Sequence, residues 1–134
     1  MLSFRNSHGF CVLFLLSLLV VGCSGGPKYE GTNVTGNVTL GGQPLEKGTI
    51  QFAPIGTGAV VSADILNGKY KAERVALGKS KVVFNATKET GKMITEYSTP
   101  YPEVISIIPQ KYRDGLDTEI TKETKNLDFS LESQ

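Results

Sequence analysis

The sequence predicts an all-β fold, a single β-sandwich. Three observations carry the all-β reading. Short segments alternate apolar and polar residues with period 2, as Val34, Val38 and Leu40 do against Thr35, Asn37 and Thr39. Turn chemistry punctuates these segments, most sharply at Asn67-Gly68, because both central residues of a type I′ turn need positive φ. The composition agrees, with 15 glycines, no tryptophan and many Thr, Val and Ile. A ribbon with one apolar face has to cover it, so the strands are expected to stack in two layers around one core. At 134 residues the chain has room for one domain.

Taken in order, residues 34–52, VTGNVTLGGQPLEKGTIQF, read as a strand, a glycine turn and a returning strand in which Ile50 and Phe52 resume the alternation. Ala53-Pro54 and Gly56-Thr57-Gly58 break the pattern as a loop. Val61, Ala63 and Ile65 then share a face, and Asn67-Gly68 turns the chain into a strand that carries Tyr70 and Ala72 inward. Ser80, Val82, Phe84 and Ala86 alternate with Lys81, Val83 and Asn85 in the longest clean strand, which is expected to be central with some cover over Val83. Residues 87–103 lose the alternation, end in Pro100-Tyr101-Pro102 and are expected to form a long surface loop. A short strand at 104–108 stops at Pro109, which cannot donate to a ladder. Residues 118–122, then Leu127, Phe129 and Leu131, supply the strands that close the core.

The N-terminus has a different character. Residues 10–22, FCVLFLLSLLVVG, are almost uninterruptedly apolar and follow a short polar stretch with Arg5 and His8, the outline of a signal peptide over residues 1–22. As a helix this run covers only roughly 20 Å, against a hydrocarbon core of about 30 Å, which disfavours a permanent span. Val20-Val21-Gly22-Cys23 resembles the bacterial lipobox, with an aliphatic residue three before the cysteine and a small one just before it. That resemblance implies that Cys23 becomes the lipidated first residue of the mature chain. Residues 23–33, rich in Gly and polar residues, then read as a flexible tether, and 34–134 as the folded domain.

These assignments narrow the chemistry. Cys11 and His8 fall in the discarded segment, leaving Cys23 as the only mature cysteine and no imidazole. Ser-His-Asp and Cys-His nucleophile systems and the usual zinc sites are thereby excluded, no cofactor is called for, and the domain is expected to hold together without a disulfide. With Lys+Arg 14 against Asp+Glu 13 and Arg5 the only basic residue ahead of Cys23, the remainder is balanced and offers no basic face for nucleic acid.

Three pieces together resemble the carboxypeptidase regulatory-like domain, a transthyretin-like (prealbumin-like) β-sandwich of small bacterial lipoproteins, planctomycete-type ones among them. They are V-T-G-x-V-T-x-x-G-x-P-L-x-x-G-x-x-x-F at 34–52, N-G-x-Y with G-K-x-x-V at 67–82, and I-P-x-x-Y at 108–112 with the closing F-x-L at 129–131. Leu77 and Ser80 depart from the proline and aromatic that the family often carries around the second motif's glycine. The resemblance implies a single transthyretin-like or immunoglobulin-like β-sandwich of about seven strands and a non-catalytic accessory or adhesive module. The function expected is therefore a membrane-anchored envelope lipoprotein that binds protein or glycan, with a structural component acting through edge-strand pairing as the alternative. Tyr97, Pro100, Tyr101 and Pro102 in the long segment are the candidate contact residues, because aromatic and proline side chains offer contact area at low entropic cost. Asp114, Asp117 and Glu119 form an acidic cluster read chiefly as a solvated turn, with calcium the lesser alternative, and no paired carboxylates stand out for hydrolysis.

Overall fold

Period-2 burial is the rule along the body of this domain. In the computed structural model, which describes residues 28–133, ten strands form: β1 (Gly31–Leu40), β2 (Gln43–Pro44), β3 (Lys47–Pro54), β4 (Val61–Leu66), β5 (Lys69–Ala76), β6 (Gly78–Asn85), β7 (Thr87–Glu96), β8 (Thr99–Ser106), β9 (Leu116–Ile120) and β10 (Phe129–Leu131), with one helical turn, α1 (Gln110–Arg113), after β8. Seven of them lie on one hydrogen-bonded path, β10-β1-β5-β4-β3-β6-β9, while β2 pairs back onto β1 and β7 pairs only with β8. The signal segment, the lipobox and Cys23 lie outside the described residues. Strand β1 starts at Gly31, so the last residues expected in the tether already belong to the sheet, and Leu77 donates to the Glu30 carbonyl at 3.1 Å.

The seven-strand path folds over on itself as a sandwich. Phe129 of β10, at one end of the order, meets Phe84 of β6 edge-on with ring centroids 5.0 Å apart. Tyr70 stands between Phe52 and Phe129, at 6.0 and 6.4 Å. Around this aromatic group Val34, Val38, Ile50, Ile65, Val82 and Ile108 are fully buried. Strand β6 runs between β3 and β9, and the outer side of its half-buried Val83 is covered by the turn at Gly115. Asn67 and Gly68, at φ 51° and 75°, make the expected tight turn between β4 and β5.

The C-terminal segment is held by polar bonds that the motif residues supply. Residues 125–131 run parallel to β1, with Leu127 N–H donating to the Thr35 carbonyl at 2.8 Å and Thr35 N–H to the Lys125 carbonyl at 3.0 Å. Gly36 makes this approach possible, because a Cβ there would lie 1.9 Å from the Leu127 carbonyl oxygen. The Tyr70 hydroxyl donates to that same carbonyl at 2.6 Å, and burial, aided by the Asp128 carboxylate, raises its pKa well above the ordinary tyrosine range. Pro109 opens α1, which buries Tyr112 so that its hydroxyl accepts the Glu132 N–H at 3.0 Å. The I-P-x-x-Y and N-G-x-Y patterns are thus two tyrosine clamps on the closing strand.

Two expectations are corrected by the ladder. The 34–52 segment is not a simple hairpin of β1 with the strand carrying Ile50 and Phe52. The Gly41-Gly42 turn, at φ 59° and 81°, does reverse the chain, but pairing stops at Leu40 with Gln43 and Thr39 with Pro44. Pro44 cannot continue a ladder and Leu45 turns into the core, so β3 departs to pair with β4 and β6 while β1 takes β5 as its partner. The second correction is that residues 87–103 are not a loop: they form β7 and the first half of β8.

Core position and ladder register give two checks. Phe84→Ala should cost about 3–5 kcal/mol of unfolding free energy. Lys81→Ala, which loses only an exposed pair with Asp117 at 3.2 Å, should cost about 1 kcal/mol or less; equal losses in denaturant melts would refute the register of β6. Gly36→Ala should destabilise by at least about 1–3 kcal/mol through the clash with Leu127. An unchanged melting temperature for that variant would mean that the C-terminal segment does not lie against β1.

Candidate functional site

The segment that leaves the sandwich is a two-stranded arm. Its threonines, Thr87, Thr90, Thr95 and Thr99, suit an extended backbone, and the strands pair from Thr87 with Ser106 out to Glu96 with Thr99. Tyr97 and Ser98 form the two-residue turn at its tip, both at positive φ (49° and 69°). At the base, Ile107 N–H donates to the Ala86 carbonyl at 3.1 Å. The ladder shifts between Glu89 and Met93, where Gly91 takes a positive φ of 80° and the Thr90 hydroxyl donates to Glu103 at 2.6 Å.

Every residue of β7 is exposed. Among them Met93 is 63% exposed, and Tyr97 at the tip is 95% exposed. Paired residues share a face, so Ile94 and Tyr101 lie on one side of the arm and Met93 and Pro102 on the other. The Tyr101 hydroxyl donates to Glu96 at 2.9 Å, and this bond, with a smaller contribution from burial, raises the Tyr101 pKa. Toward its base the arm overhangs the outer face of β3 and β4. Thr87, Glu89 and Val104 of the arm face Thr49, Asp64 and Leu66 across a groove of about 520 Å³.

The structure brings Tyr97, Pro100, Tyr101 and Pro102 together on this arm, within β8 and the turn before it. Sequence reasoning missed their company: Met93, Ile94, Val104 and Ile105 are also solvent-exposed apolar side chains, all at least 37% exposed. The threonine content of 87–99 was the available signal. Tyr97-Ser98 hid the turn, because neither residue is among those that favour positive φ.

The acidic residues after α1 do not converge. Asp117 pairs with Lys81, Asp114 accepts from the Gln110 side-chain amide at 2.6 Å, and among the described residues there is no group of three side chains placed to hold a metal ion. Their arrangement is that of a turn and an exposed strand.

Replacing Tyr97 and Tyr101 together by Ser should leave the thermal transition of the domain nearly unchanged, within about 1 kcal/mol, because neither side chain enters the core. A large fall in melting temperature would show that the arm is packed on the sandwich. In comparisons with known proteins, no family, no curated protein and no solved structure matches this chain.

Proposed function

We propose that this chain is a non-catalytic lipoprotein of the bacterial envelope, tethered to a membrane through Cys23, whose sandwich displays the β7–β8 arm as a contact surface for protein or glycan. The observation that carries the reading is the arm itself. An isolated two-stranded hairpin is at best marginally stable in water, and this one keeps apolar side chains on both faces exposed beside an ordered core. Tyrosine at the tip suits both partner classes, since its ring stacks on a sugar face or fills a protein pocket while its hydroxyl stays wet. The non-catalytic reading is supported by the residue inventory, because residues 28–133 contain neither histidine nor cysteine.

The transthyretin-like family reading is supported by the seven-strand path and by the roles found for its motif residues: Gly36 under Leu127, Tyr70 and Tyr112 on the closing segment. The second reading, assembly through strand pairing, is favoured by β7, whose outer edge has no neighbour among the described residues. Strand β6, whose Lys79 and Lys81 would discourage pairing at an open edge, is an interior strand and carries no weight in that choice.

Two measurements test the proposal. Cys23→Ala should leave an unprocessed precursor and no mature protein in the detergent phase; a mature chain with an unmodified Cys23 would refute the tether. Binding of envelope extracts or glycan arrays to the full chain should fall when Tyr97 and Tyr101 are both replaced by Ser. Undiminished binding would move the contact to another surface.

A further inference from the structure

The two edges of the arm are unlike. Alternation from the two-residue turn makes Glu96 and Thr99 a hydrogen-bonded pair, Thr95 with Pro100 a non-hydrogen-bonded pair, Ile94 with Tyr101 a hydrogen-bonded one, and Met93 with Pro102 again a non-hydrogen-bonded one. Over these pairs the outward positions on β8 are therefore prolines, which have no N–H to offer, and that stretch of the edge, nearest the tip, is closed to a further strand. On β7 the outward positions are Met93 and Thr95, whose N–H and C=O have no strand partner among the described residues.

We infer that β7 pairs antiparallel with β7 of a second copy of this chain, about a two-fold axis through Ile94. Outward positions must meet outward positions, so the allowed registers are few. Placing Met93 opposite Met93 leaves Ile94 facing Lys92. Centring the pairing on Lys92 sets that lysine against its own copy. Centring on Thr95 puts Ile94 opposite Glu96. Only the register centred on Ile94 gives Met93 with Thr95 and Thr95 with Met93 as hydrogen-bonded pairs, Ile94 with Ile94 between them, and Lys92 opposite Glu96 on both sides. Lys92 has no ion pair among the described residues, and the hydroxyl of Tyr101 already fixes Glu96. Gly91, with its positive φ, would face Tyr97 of the turn and end the ladder there.

The same register aligns side chains across the four strands. Tyr101 and Ile94 of one copy and Ile94 and Tyr101 of the other form one continuous apolar row on a single face. Each hairpin, marginal alone, becomes half of a four-stranded sheet. This pairing rests on reading the arm as a contact surface, and it specifies a second copy as the occupant of its β7 edge while leaving the Tyr97 tip free for another ligand.

The test uses the full chain in its host membrane. Residues opposite each other in a non-hydrogen-bonded pair have Cβ atoms close enough for a disulfide, so Ile94→Cys should give a covalent dimer on mild oxidation, whereas Met93→Cys and Ser98→Cys should give about tenfold less. Charge reversal supplies a second measurement that does not depend on a thiol. Co-capture of two differently tagged copies should fall about tenfold when both carry Lys92→Glu, or both carry Glu96→Lys, and return when a Lys92→Glu copy is expressed with a Glu96→Lys copy. Absence of the Ile94→Cys dimer, equal cross-linking at all three positions, or failure of the mixed pair to recover would each overturn the inference. Protection of the Ile94→Cys thiol in membranes without a covalent dimer would place lipid on the arm and also overturn it. Loss of ligand binding in the tyrosine variant with cross-linking intact would leave this pairing standing, so the two failures are separable.

Discussion

The seam between β1 and the C-terminal segment is the constraint on which the rest of this domain depends. A sheet of antiparallel hairpins running from β3 through β6 would leave the faces of Phe52, Phe84 and Tyr70 open to water. Phe129 and Leu131 cover them only because residues 125–131 are drawn against β1. That approach requires a backbone without a side chain at Gly36, and it is held by two phenol groups, Tyr70 on the Leu127 carbonyl and Tyr112 on the Glu132 N–H. The ion pair of Lys111 with Glu132 lies over the same place, where the lysine also sits 4.8 Å from the Tyr112 ring centroid, but it is exposed and adds little. Apolar burial provides the driving force, and a few directional bonds decide which segment does the burying.

The all-β sandwich was legible because alternation and turn chemistry are local signals, and most of this chain obeys both. Val82 and Phe84 fall inward, and Asn67-Gly68 turns where it should, for reasons contained within a few residues. What was not legible is what distant segments decide. The partner of β1 is β5 and a strand near the far end of the chain, and nothing in residues 34–52 records that. The glycine turn at Gly41 was recognised, yet the short life of its hairpin follows from Leu45 finding a buried place under the β4–β5 turn, where Gly68 N–H donates to the Leu45 carbonyl.

The candidate site shows the opposite error. Tyr97, Pro100, Tyr101 and Pro102 are candidate contact residues of an expected loop, and the structure places them on a paired ribbon and its turn. Periodicity fails as a strand signal there because neither face of the arm is buried: with apolar residues on both sides, β7 and β8 have no inside and outside to alternate between. The same failure is informative. A ribbon whose sequence shows no buried face, in a chain whose other strands nearly all do, is a ribbon that its own domain leaves uncovered.

The long reach of the closing seam also sets a schedule. The contacts that complete the core join residues about 90 positions apart, as with Thr35 and Lys125, so the entropy of closing almost the whole domain is met before Phe129 reaches its place. A ribosome releases β1 early and β10 last, and in the interval the nascent chain holds hairpins but no finished core. Until Phe129 and Leu131 have emerged, the apolar faces of Tyr70 and Phe84 lack their cover, which leaves them open to proteases and to other chains for as long as synthesis of the intervening span takes.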